Sequence, residues 1–246
     1  MAEYRRLSKP PLREALIDIR ISQELPVSSV DKLSVHQLDG FEVPIEMRRG
    51  KIAIQFSPDM SAPLPLPGSA QEGFGWRYST ADGSRVVQFR RDGATFSILK
   101  GYQDWNEARS SARILWEQYR EWNSPAKVSR LAVRYINVLS LPMGIDFDLF
   151  LTAAPRIPPD LPQMLSGFFQ RTVIPFSTDG TTAVVTQALE PLHDNIVPVV
   201  LDIDVWYNVS LEVDASEIWI QLDRLRDIKN QIFFSSITER ALEHCL

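Results

Sequence analysis

Residues 75–107 read GWRYSTADGSRVVQFRRDGATFSILKGYQDWNE. Short segments of mixed apolar and polar residues are joined here by Asp82-Gly83 and by Asp92-Gly93. Glycine reaches positive φ without steric cost, so Asp-Gly between such segments predicts a tight antiparallel turn. The stretch therefore reads as a meander of strands over 75–79, 85–90 and 94–99. Asp104 then opens a helix, with Glu107 three residues on in the reciprocal capping-box position. Ala108, Ala112, Leu115, Tyr119 and Trp122 follow at steps of four and three, which is one helical face. A meander feeding an amphipathic helix predicts an α+β fold, an antiparallel sheet packed on long helices.

Working outward, Ala15, Ile17, Ile19 and Ile21 alternate with Leu16, Asp18, Arg20 and Ser22, the period of a half-buried strand. Residues 1–13 end in Pro10-Pro11 and read as an extended entry segment. A short helix is expected over 28–38 and a strand over 51–56. The stretch 58–69, PDMSAPLPLPGS, carries four prolines and reads as loop or edge. Downstream, strands are expected over 128–139, 168–176, 183–189 and 197–207, with a helix beginning at 146–151. Pro155, Pro158, Pro159 and Pro162 break that helix up. Asp214 is expected to cap a last helix, with Glu217 in the reciprocal position. Its stripe is Ile218, Leu222, Leu225, Ile228, Ile232 and Ile237. Run to the C-terminus, this helix would be about 40 Å long at about 1.5 Å per residue.

Each half then reads strand, helix, meander around an Asp-Gly turn, and a helix starting Asp-x-x-Glu. Two accounts fit. One is a duplicated β-α-β-β-β-α unit, with halves 1–125 and 126–246 intimately packed as one globular unit. The other is that Asp-Gly turns and Asp caps are common punctuation and match by chance.

Composition bounds the function. Over 246 residues, 44% are hydrophobic and 23% charged, which excludes fibrous and largely disordered classes. A net charge of -5 and a pI near 5.3 count against a general nucleic-acid binder. Cys245 is the only cysteine, so no disulfide framework or cysteine-based zinc site is expected, and a reducing cytoplasm fits. The N-terminus has no apolar stretch of signal-peptide type, and no run approaches the roughly 20 apolar residues that span a bilayer.

Several segments resemble a sporadically distributed family of uncharacterised prokaryotic proteins of about this length. They are Lys9-Pro10-Pro11-Leu12-Arg13-Glu14-Ala15, Gly101-Tyr102-Gln103-Asp104-Trp105, Arg130-Leu131-Ala132-Val133-Arg134-Tyr135-Ile136-Asn137, and Leu225-Arg226-Asp227-Ile228-Lys229-Asn230 continuing through Phe233 to Thr238-Glu239. The resemblance touches both ends and the middle of the chain. It brings no established activity and no catalytic residue. The patchy distribution of that family implies a gene that moves between genomes, as toxin–antitoxin and phage-defence accessories do.

Two constellations could carry chemistry. Asp202 and Asp204 share one face of their strand, where paired carboxylates can hold a divalent metal for nucleotidyl or phosphoryl transfer. Glu212 and Asp214 are the nearest third carboxylates, and the Gly-Ser helix entry of such enzymes is missing. Arg130 and Arg134 share a strand face, as do Asp18 and Arg20. A sheet face bearing Arg20, Arg130 and Arg134 could hold an anionic ligand. The plainer reading of both sets is a cross-strand ladder of opposite charges. His36, His193 and His244 have no metal-ligand spacing, and no nucleophile elbow, Walker loop or dinucleotide fingerprint occurs, so no cofactor is expected. Three functions follow. The preferred one is a non-enzymatic binding or protein-interaction module, with a protein partner or self-association. The alternatives are a metal-dependent transferase using Asp202 and Asp204, and a saddle-like nucleic-acid binder, which the acidic balance disfavours.

Overall fold

The computed structural model describes residues 2, 5, 7–29, 37–50, 54–55, 64–65, 71–144, 146–176, 179–192 and 195–243. Nine strands make the main sheet: β1 Leu12–Ile21, β2 Ile45–Gly50, β3 Gln71–Ser79, β4 Arg85–Arg90, β5 Gly93–Ile98, β6 Lys127–Pro142, β7 Phe169–Pro175, β8 Thr182–Leu189 and β9 Ile196–Glu212. Among the described residues, helices α1 Trp105–Asn123, α2 Glu217–Ser236 and α3 Glu239–Glu243 accompany the sheet, with a short Ile54–Gln55/Leu64–Pro65 pairing besides. The strand order is β2-β3-β4-β5-β1-β6-β9-β8-β7, and every neighbouring pair is antiparallel. The α+β class read from the sequence is therefore present, with β1 and β6 at the centre of the sheet.

Period two assigns the two faces. Val87, Phe96, Ile17, Val133, Val205 and Ala183 line up across six strands as one row of register partners. All six are buried, and the row lies on the face that α1 and α2 cover. Leu115 and Tyr119 of α1 join it, as do Leu222, Leu225 and Ile232 of α2. Trp105 Nε1 donates to Asp223 Oδ1 at 2.6 Å and ties the two helices together. Gly93 shows why that residue type is needed at the β4–β5 turn. Its φ is +141°, and a Cβ there would lie 2.1 Å from the Ile19 carbonyl oxygen.

Several expectations are corrected. Asp104 does cap α1, accepting from the Glu107 amide at 3.0 Å. The Glu107 side chain, however, turns to Arg85 at 3.3 Å instead of completing a capping box. At α2 the N-cap is Ser216, not Asp214, and its side chain makes no capping hydrogen bond. That helix ends at Ser236 because Ile237 turns extended (φ -123°, ψ 159°) and pairs with Leu151. Its 20 residues span about 30 Å rather than 40. The helix expected at 146–151 is only a single 3-10 turn, Phe147–Leu149. The second half therefore does not repeat a β-α-β-β-β-α order. β2 was not expected, since residues 45–50 carry no alternation. The helix expected over 28–38 and the strand over 51–56 fall mostly outside the described residues, as do the three histidines and Cys245. No helix among the described residues is long and apolar enough to cross a membrane.

Candidate functional site

The outer face of the sheet carries the charges singled out from the sequence. Asp18 stands at its centre, on β1 between β5 and β6. Its Oδ1 accepts from Arg90 Nη2 at 2.7 Å and from Thr95 Oγ1 at 2.7 Å. Its Oδ2 accepts from Arg130 Nη1 at 3.0 Å and Arg20 Nε at 3.1 Å. Asp92 closes the loop, accepting from Arg90 at 2.8 Å and from Arg20 at 2.6 Å. Burial pushes the Asp18 carboxyl up, but Arg90, Thr95 and Arg20 overcome it and hold the group below the usual carboxylate range.

Farther along the face, Arg134 lies opposite Asp204 in register. Its guanidinium nevertheless clasps Asp202, diagonally placed, through bonds of 2.9 and 2.6 Å. Asp204 is 3.8 Å from Arg130, whose guanidinium also rests over the Trp206 ring. Burial raises the Asp204 carboxyl above its ordinary value, against the pull of Arg130 and Arg134. The structure thus joins Arg20 and Arg130 through Asp18, and pairs Arg134 with Asp202. Both oxygens of Asp202 are engaged by the one guanidinium of Arg134. Among the described residues no group of three or more His, Cys, Asp or Glu side chains is arranged to hold a metal.

A second constellation, which sequence reading missed, lies on the inner face. Along β6 the inward positions run Leu131, Val133, Tyr135, Asn137, Leu139 and Leu141, so two polar side chains interrupt an apolar row. Along α2 the buried positions Leu222, Leu225, Lys229 and Ile232 recur at helical spacing, so a lysine stands where the stripe asks for an apolar residue. Ile228, the residue expected to bury, is only partly covered. The two interruptions meet. The Lys229 ammonium sits 3.7 Å from the centroid of the Tyr135 ring and donates to Asn230 Oδ1. The Tyr135 hydroxyl donates to the Tyr102 hydroxyl at 2.8 Å, and Asn137 Nδ2 donates to the Leu201 carbonyl at 3.1 Å.

These groups line a cavity of about 580 Å³ between the start of β1, the entry to α1, the middle of β6 and the C-terminal half of α2. Pro10 to Leu12, Tyr102 to Asn106, Tyr135 with Asn137, and Arg226 with Lys229 and Phe233 form its walls. Each of the four segments that carry the family resemblance contributes to it. Burial, reinforced by Arg226, lowers the Lys229 ammonium to about 7 against a weaker opposing pull from Asp227. Burial raises both tyrosine hydroxyls, so they stay neutral at physiological pH. Arg226 pairs with Asp227 at 2.9 Å and lies over Trp105, yet its Nε is buried without a hydrogen-bond partner. No protein-family model and no curated protein matches this chain.

Proposed function

We propose that the chain is a non-enzymatic binding module whose ligand occupies the inner cavity. The observation that carries this reading is the cavity itself. About 580 Å³ lies within the range of small-molecule sites, and its walls set the apolar side chains of Leu7, Leu12, Trp105 and Phe233 among polar groups that can fix a ligand's orientation. A buried polar set of this kind costs stability, and a ligand that completes its hydrogen bonds repays the fold for keeping it. The outer ladder supports a structural role for Arg20, Arg130, Arg134, Asp202 and Asp204, since Arg20 and Arg130 pair with Asp18, Arg130 also lies near Asp204, and Arg134 pairs with Asp202. A place as an accessory in a mobile toxin–antitoxin or phage-defence locus, which the resemblance implies, suits such a sensor-like module. In a small-molecule fragment screen read by two-dimensional NMR, signals of Leu12, Tyr102, Asn137 and Phe233 are expected to move most. Fragments that bind only elsewhere would overturn the reading.

A second reading, protein interaction, is favoured by the β7 edge. Phe169 is 72% exposed and Val173 50%, on the outermost strand, where unpaired backbone groups can accept another strand. The neighbouring proline-rich segment adds Leu161 and Met164, both exposed. The other proline-rich segment, 58–67, falls mostly outside the described residues. We take the occupant to be a second copy of the chain, pairing edge to edge. Light scattering is then expected to show a dimer that Val173→Lys converts to monomer. A monomer in both cases would remove this surface from consideration.

A further inference from the structure

Lys229 is a buried amine that meets no carboxylate among the described residues. Only 7% of the residue is exposed, and no ion pair to it forms among the described residues. The charged and titratable groups around it do not supply one. Asp104, from the loop entering α1, commits Oδ1 to the Glu107 amide, and Asp227, on α2, pairs with Arg226. Tyr102 and Tyr135 hydrogen-bond to each other, and Arg5 from the N-terminal segment pairs with Glu239. Arg226, one helical turn before Lys229 and on the same wall, holds a buried Nε donor with nothing to receive it. Two cationic side chains thus line one cavity, whose wall also mixes Leu7, Leu12, Trp105 and Phe233 with the polar Gln103 and Asn106.

We propose that the cavity takes a small molecule bearing a carboxylate or a phosphate on an apolar or aromatic body, its anionic group seated on the Lys229 ammonium beside Arg226. The inference rests on the cavity's being the ligand site. It has a proton signature. Without a ligand, burial holds the Lys229 ammonium down to about 7. An anion within contact distance favours the charged form and brings the midpoint back up. Binding above pH 7 therefore takes up a proton, and affinity falls as pH rises and the amine becomes neutral.

The test is a pH titration of the full chain labelled with ¹³C-lysine, followed by NMR, alone and saturated with benzoate, phenyl phosphate or benzyl alcohol. The Lys229 midpoint is expected near 7 in the free protein, and about one to three units higher with one or both anions. Response to benzoate alone identifies a carboxylate, and response to phenyl phosphate alone a phosphate. Benzyl alcohol is expected to leave the midpoint in place. A midpoint unmoved by either anion while benzyl alcohol shifts the cavity signals would overturn the anion preference and keep the cavity as a binding site. No change in cavity signals with any probe would overturn both. Lys229→Met removes a buried charge, so it is expected to melt no lower than wild type at pH 7 while anion affinity drops at least about tenfold. Undiminished affinity in that variant would contradict the assignment.

Discussion

Asp18→Ala is expected to cost about 3–5 kcal/mol in urea unfolding at pH 7, because it takes from a buried guanidinium one of its two carboxylates and leaves several donors unpaired at once. Arg90 is 7% exposed and directs Nη2 at Asp18, while Nε stays with Asp92. The substitution also removes the acceptor used by Thr95, Arg20 and Arg130. Asp18→Asn keeps an oxygen in place and is expected to lose less. The pH dependence follows from the direction of the shift. A carboxyl held lower in the folded chain than in the unfolded one stabilises above its unfolded pKa. That contribution is lost as pH falls through the folded value. Wild type is thus expected to lose its advantage over Asp18→Ala progressively below about pH 4. A difference below about 1 kcal/mol at pH 7 would show that the ladder does not depend on its central carboxylate.

Leu225→Ala is expected to cost about 2–5 kcal/mol by the same measurement, with the slope against urea unchanged. The side chain is fully buried, 0% exposed, at the middle of α2 where the helix lies on β6 and β9. It belongs to the core cluster that both helices and the sheet build, and in a close-packed interior the space left behind closes poorly. A melting temperature equal to wild type would mean that α2 presents a different face to the sheet.

What the sequence makes legible is what strand and helix periods encode directly. The meander over 75–99, the central strands and the apolar stripes of α1 and α2 follow from alternation, turn glycines and spacing of three and four. Same-face placement of Asp202 with Asp204, and of Arg130 with Arg134, follows from period two alone. The ladder's centre does not. Asp18 meets Arg90 and Thr95 only once β1 is known to lie between β5 and β6, and that register is a property of the sheet. Likewise the pairing of Arg134 with Asp202, rather than with Asp204 opposite, depends on how a long side chain leans. The end of α2 is set by Ile237 joining Leu151, far away in sequence.

The cavity is the more instructive omission. Its signal is a violation of pattern rather than a motif. Tyr135 and Asn137 occupy inward strand positions, and Lys229 falls seven residues after Leu222 and three before Ile232 on a buried stripe. Each is tolerable alone, since a tyrosine or lysine at an apolar position can direct its polar end to water. Here Lys229 and Tyr135 meet on the buried face, and such breaks of local rules are expected at functional or strained sites. Choosing Ile228 for the stripe hides the irregularity, because it lets the helix read as uniformly apolar.

The most direct measurement is a pair of crystal structures of the full chain, one grown with saturating benzoate and one with saturating phenyl phosphate. The account predicts, in at least one of them, the anionic oxygens within hydrogen-bond distance of Lys229 Nζ and the ring against Trp105 or Phe233. A cavity empty in both, with the anions bound instead at Arg134 or Arg20 on the outer face, would contradict it.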